Sequence, residues 1–125
     1  MILLTELLSD YDRAFKGAAV SGFPLITVVD NFRVFKGANV RDATPLYTIV
    51  GNKLFKGLAV SGAPLATLQN DMIFYGWKVS GAPEARLRGR ISRKGIEFSG
   101  PPLVTVPSGN IKTLFAATYH VLRGR

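Results

Sequence analysis

The chain has no cysteine, which excludes a disulfide framework, a thiol nucleophile and any cysteine-ligated zinc site. It has a single histidine, His120, so a histidine metal cluster lacks its second imidazole. Acidic residues are few, eight against sixteen Lys and Arg, for a formal charge of +8. No stretch free of charged residues exceeds 14 residues, short of the roughly 20 apolar residues a membrane-spanning helix needs. No basic leader followed by an apolar run and a small-residue cleavage site is visible. Phosphate loops of the GxxxxGK type and G-x-S-x-G elbows are missing as well. What the chain does have is apolar substance, 47% of its 125 residues, enough for the core of one domain.

An internal repeat organises that substance, and repeats decide a fold before local propensities do. Arg13-Ala14-Phe15-Lys16-Gly17 recurs as Arg33-Val34-Phe35-Lys36-Gly37 and Lys53-Leu54-Phe55-Lys56-Gly57. Degenerate copies follow at Met72-Ile73-Phe74-Tyr75-Gly76 and Ile91-Ser92-Arg93-Lys94-Gly95. The marker glycines lie 20, 20, 19 and 19 residues apart. Downstream of each is a second block: Val20-Ser21-Gly22-Phe23-Pro24-Leu25, Val40-Arg41-Asp42-Ala43-Thr44-Pro45-Leu46, Val60-Ser61-Gly62-Ala63-Pro64-Leu65, Val79-Ser80-Gly81-Ala82-Pro83 and Phe98-Ser99-Gly100-Pro101-Pro102-Leu103.

Each repeat reads as a β-hairpin of two strands of about six to eight residues, rich in β-branched and aromatic residues and bounded by turn chemistry. Ser-Gly-x-Pro separates the two strands, and Asp30-Asn31, Gly51-Asn52 and Asn70-Asp71 suit tight reversals after the second. Glu84-Ala85-Arg86-Leu87-Arg88 alternates cleanly, so Ala85 and Leu87 face inward. Correspondence then places Ile26/Val28, Tyr47/Ile49, Ala66/Leu68 and Val104/Val106 inside. The first strand is harder to orient, because Lys16, Lys36, Lys56 and Lys94 share parity with apolar positions such as Val34 and Leu54. Either Lys-Gly is a bulge that resets the alternation, which is the plainer reading, or these lysines line the mouth of a closed structure.

The ends depart from the repeat. Residues 1–9 read as a short helix or, through Leu3-Leu4-Thr5, as an extra second-strand copy that helps to close a ring. Ile111, Leu114, Phe115, Tyr119 and Leu122 fall at helical spacing, predicting an amphipathic helix over about 110–122 that covers an open face or end of the β structure. The chain thus divides into an N-terminal segment 1–11, five repeats over 12–110 and a helical tail 111–125, in a single domain.

A β-helix is disfavoured, since the turn chemistry argues for reversal in each repeat. An open meander keeps two bare edges, whereas a closed ring keeps none. The fold class expected is all-β: five hairpins in a closed or nearly closed pseudo-symmetric barrel, with a C-terminal amphipathic helix. The aromatic-x-Gly-x4-Gly core (Phe15/Gly17/Gly22, Phe55/Gly57/Gly62) is partly similar to membrane-occupation-and-recognition-nexus (MORN) repeats, which lack the Pro-Leu-x-Thr block. Over residues 12–110 the alternation of strand, Ser-Gly turn, strand and Asx/Gly turn resembles the β-flower proteins, small bacterial domains of hairpins around an axis. The resemblance implies an architecture and no functional residues.

Enzymatic constellations are absent from the sequence. His120 reads as a helix residue rather than a catalytic base, and no two acidic residues hold the same slot in neighbouring repeats. That argues against a carboxylate pair and a repeated calcium site. No enzyme activity, cofactor or metal is expected. Charge is the informative feature: residues 51–125 hold eleven basic and three acidic side chains and so the whole excess. The chain reads foremost as a non-catalytic structural or interaction module that can assemble with copies of itself. One alternative binds anionic polymers, nucleic acid or acidic glycan, through Arg86, Arg88, Arg90, Arg93 and Lys94, with Tyr75 and Trp77 nearby for stacking. Another is a lectin-like ring with pockets near Phe15, Phe35, Phe55 and Phe74. A further candidate is an axial anion ring of Lys16, Lys36, Lys56 and Lys94, with Tyr75 in the remaining place. Nothing in the sequence points to a compartment.

Overall fold

A computed structural model of the chain describes residues 11–38, 40, 44–58, 60–95 and 100–123. The N-terminal segment 1–9, with its candidate extra strand, lies outside them. Ten short strands run β1 (Tyr11–Lys16), β2 (Ile26–Val29), β3 (Arg33–Lys36), β4 (Tyr47–Val50), β5 (Lys53–Lys56), β6 (Ala66–Gln69), β7 (Met72–Tyr75), β8 (Ala85–Arg88), β9 (Ile91–Lys94) and β10 (Val104–Thr105). A helix, α1 (Ile111–Arg123), follows them. Each strand pairs antiparallel with its sequence neighbours, and β1 pairs with β10, so the sheet closes into a ten-stranded barrel without an open edge.

The strands are shorter than the sequence suggests. They stop at Lys-Gly, and Val20 and Val60 lie in exposed loops instead of extending the first strands. Five long loops therefore leave one end of the barrel, after Lys16, Lys36, Lys56, Tyr75 and Lys94. Tight turns close the other end. Asn70 and Asp71 both have positive φ, as a type I′ turn demands, while Gly51 and Gly89 supply the positive φ at the first turn position of their hairpins.

The register settles the orientation of the lysines. Ile26 faces Lys36, Tyr47 faces Lys56, Ala66 faces Tyr75, Ala85 faces Lys94 and Val104 faces Lys16, in ladders that run unbroken to the Lys. No bulge occurs at Lys-Gly, and the plainer expectation is corrected. The irregularity sits opposite: the amide of Leu25 bonds the carbonyl of Ala14, although the register partner of Ala14 is Ile26. Leu46, Leu65, Glu84 and Leu103 make the same shifted bond. Two consecutive residues thus address one, as in a β-bulge, which re-aims a side chain. This explains why Leu25, Leu46, Leu65 and Leu103 pack against the interior core.

Inside, the expected inward set holds. Ile26, Val28, Tyr47, Ile49, Ala66, Ala85, Leu87, Val104 and Val106 are buried, with Leu68 partly so. The helix does not cover an end, as the sequence suggested; it fills the barrel. Residues Thr113 to Tyr119 are buried without interruption, and at about 100° per residue seven positions face every direction. α1 packs on β8, β9, β10, β1 and β2, and on β4. Small residues, Ala14, Ala85 and Ser92 on the wall and Ala116 and Ala117 on the helix, are buried in this interior beside larger ones such as Ile26 and Leu87. Across the lumen Tyr47 and Tyr75 meet Tyr119 edge-on at 5.6 and 6.0 Å. Ser92 and Thr118 share a hydrogen bond of 2.7 Å in this space, and the Thr113 hydroxyl is buried there without a hydrogen-bond partner.

Candidate functional site: the lysine mouth

The helix enters from the tight-turn end and finishes at the loop end. At its start Asn110 Oδ1 accepts from the Lys112 amide at 2.9 Å, an N-cap, while Asn110 Nδ2 donates to Asn31 Oδ1 at 2.6 Å. Ser108 Oγ donates to Asp12 at 2.8 Å beside it. The last turn, with His120 and Arg123, emerges among the lysines.

Lys16, Lys36, Lys56 and Lys94 occupy one level of the barrel on the inward parity, with exposed side chains. The fifth place is Tyr75. There the helix supplies the missing cation: the Arg123 guanidinium stands 4.8 Å from the centre of the Tyr75 ring. The fourth repeat departs twice, with Tyr75 for Lys and Glu84 for the bulge Leu, and the Glu84 carboxylate lies close enough to act on the Tyr75 hydroxyl. Burial and the Glu84 carboxylate push the Tyr75 hydroxyl up, against the pull of Arg123. Burial likewise raises Tyr119, again opposed by Arg123.

Beside this crown lies a pocket of about 140 Å³ lined by Lys16, Leu25, His120 and Val121. His120 Nδ1 and Tyr47 Oη share a hydrogen bond of 2.8 Å. Burial, then the neighbouring Tyr119, pushes the Tyr47 hydroxyl up to about 12, so it stays protonated near neutrality. That hydroxyl can donate to a neutral imidazole or accept from a charged one, and it holds the ring in place either way.

Among the described residues the charges at this mouth leave a surplus of cations. The carbonyl end of a helix carries about half a negative charge, against four lysines and Arg123. Among the described residues Glu84 is the carboxylate nearest this layer. Like charges at one level repel unless solvated or bound to an anion.

The other candidates are dispersed. Arg86 and Arg93 face each other across the β8–β9 register on the outer wall, both half-buried, and Arg93 Nε donates to the Gly100 carbonyl at 2.7 Å. Arg88 is exposed on the same wall, Arg90 sits in the tight turn at one end, and Lys94 belongs to the mouth at the other. Arg86, Arg88 and Arg93 thus share one wall with Arg90 at its end, and Lys94 stands apart at the mouth. Phe15, Phe35, Phe55 and Phe74 alternate outward but are only 6–9% exposed, which leaves little ring face for a sugar. Beside them Thr27, Thr48, Thr67 and Thr105 donate to glycine carbonyls at the rim, at 2.6–2.8 Å. In the fifth sector the Arg86–Arg93 pair replaces Phe and Thr.

Sequence reasoning missed Arg123 and the Tyr47–His120 pair, because both depend on the helix lying inside. One signal was legible: Tyr75 and Glu84 break the repeat at two slots of one mouth, as a sector with its own partner would. Compared with family models, with curated proteins and with solved structures, the chain matches none.

Proposed function

We propose that the chain is a non-catalytic binding module whose lysine mouth takes an anionic group. The observation that carries this reading is the convergence of Lys16, Lys36, Lys56 and Lys94 at one level, with Arg123 standing in at the Tyr75 place. Lysine acts here as a point charge on a flexible stem, suited to phosphate or carboxylate groups of varied shape. The hairpins set about an axis also support kinship with the β-flower proteins. Calorimetric titration with tripolyphosphate tests the reading. We expect saturable one-to-one binding that weakens steeply between low and moderate salt. Lys16→Ala/Lys36→Ala/Lys56→Ala should weaken it at least tenfold, and Arg86→Ala/Arg88→Ala/Arg93→Ala should leave it nearly unchanged. The reverse pattern would move the site to the outer wall and sink the mouth as a site.

A further inference from the structure

Each of the three long loops whose tips are described exposes two apolar side chains at the lysine end: Val20 and Phe23, Leu58 and Val60, Trp77 and Val79. Phe23 is 95% exposed, Leu58 64% and Trp77 63%. Large apolar groups so bare are costly in water, and their grouping at one end of a molecule marks an interaction surface. Lys78, next to Trp77, holds its ammonium 5.9 Å from the indole ring. Apolar tips thus surround a cationic mouth. The opposite end mixes its signs, with Asp12, Asp30 and Asp71 beside Arg33, Lys53, Arg88 and Arg90, and its exposed apolar residues, such as Tyr11 and Phe32, are each less than half exposed.

From this arrangement we infer that the loop end docks on an anionic bilayer surface, resting on the anion site proposed above. The lysines and Arg123 meet headgroup phosphates and carboxylates, while Phe23, Leu58 and Trp77 enter the interface. Aromatic side chains favour that depth, and basic clusters beside apolar groups bind anionic leaflets. The barrel would lie on the surface. Strands of four residues extend about 13 Å, less than half of a hydrocarbon core of about 30 Å. The far end, whose described apolar side chains are each less than half exposed, then points to water, so the apolar tips fix the orientation.

Trp77 is the only tryptophan, so its emission reports its own loop. With vesicles of phosphatidylcholine containing about one third phosphatidylserine, we expect a blue shift and quenching by brominated acyl chains. Pure phosphatidylcholine should give neither. Phe23→Ser/Leu58→Ser should weaken vesicle binding at least tenfold and leave tripolyphosphate binding intact, since neither residue is in the crown. Tripolyphosphate binding without any vesicle response would overturn the docking and leave the mouth reading standing. Absence of both would overturn both. An unmoved Trp77 with concentration-dependent self-association, abolished by Phe23→Ser/Leu58→Ser, would assign the tips to a second copy and refute the bilayer.

Discussion

The two ends of the barrel are built from the same repeat and solve opposite problems. The tight-turn end is closed: two-residue turns with glycine, or Asn-Asp at positive φ, reverse the chain, and Asn110, Asn31, Ser108 and Asp12 tie the helix start to the rim. The loop end is left open, with lysines, Arg123 and apolar tips facing outward. A carboxylate beside a helix start and cations beside its finish both suit the helix dipole, but the loop end also sets its lysines at one level among large exposed apolar tips. The contrast teaches where the repeat is constrained by folding and where it is free to recognise something.

The largest effect should come from what joins the ends. Phe115 is fully buried at the middle of α1, and Phe115→Ala should destabilise the fold by about 3–5 kcal/mol. Denaturant unfolding followed by circular dichroism would measure it, and a loss below about 1 kcal/mol would mean that the helix is not the core.

A smaller effect is alkaline. The Tyr47 hydroxyl titrates near 10 when unfolded and about 12 in the fold, so the neutral form is the one the fold prefers. Its contribution is complete below pH 10 and disappears as pH rises towards 12, on the order of 2 kcal/mol. Tyr47→Phe should flatten that part of the stability profile. An unchanged slope would separate Tyr47 from the packing of the loop end.

The most direct comparison of the ends is the smallest in energy. Asn110→Ala removes the cap and the bond to Asn31, and should cost about 1 kcal/mol while leaving tripolyphosphate binding alone. Arg123→Ala should cost less than that in stability, since the residue is exposed, yet lower tripolyphosphate affinity severalfold. Equal effects of the two variants on both measurements would dissolve the distinction between a structural and a presenting end.

The repeat itself told most of the architecture. Alternation in Glu84–Arg88 gave the inward parity of the even-numbered strands, because a strand with charges on one face has one possible register. The Lys-Gly strands misled, since charge on an inward parity conflicts with burial unless the strand ends at a rim, and strand length cannot be read from composition. The helix misled for a related reason. Thr113, Thr118, Lys112 and His120 give it the pattern of a one-sided surface helix, while its small residues, Ala116 and Ala117, are what the narrow lumen selects. The lysine ring was visible as soon as a closed barrel was considered; its fifth member, Arg123, required knowing where the helix ends.

Chain order adds a consequence for how the molecule comes into being. The filler of the lumen follows all ten strands, and the seam between β1 and β10 joins segments some 90 residues apart in sequence, as between Phe15 and Thr105. During synthesis, most hairpins would emerge with their greasy inner faces unshielded, waiting for a plug that follows them in the chain. Chaperone demand, and sensitivity to premature stop codons between residue 105 and the end of the helix, should therefore be high for so small a barrel.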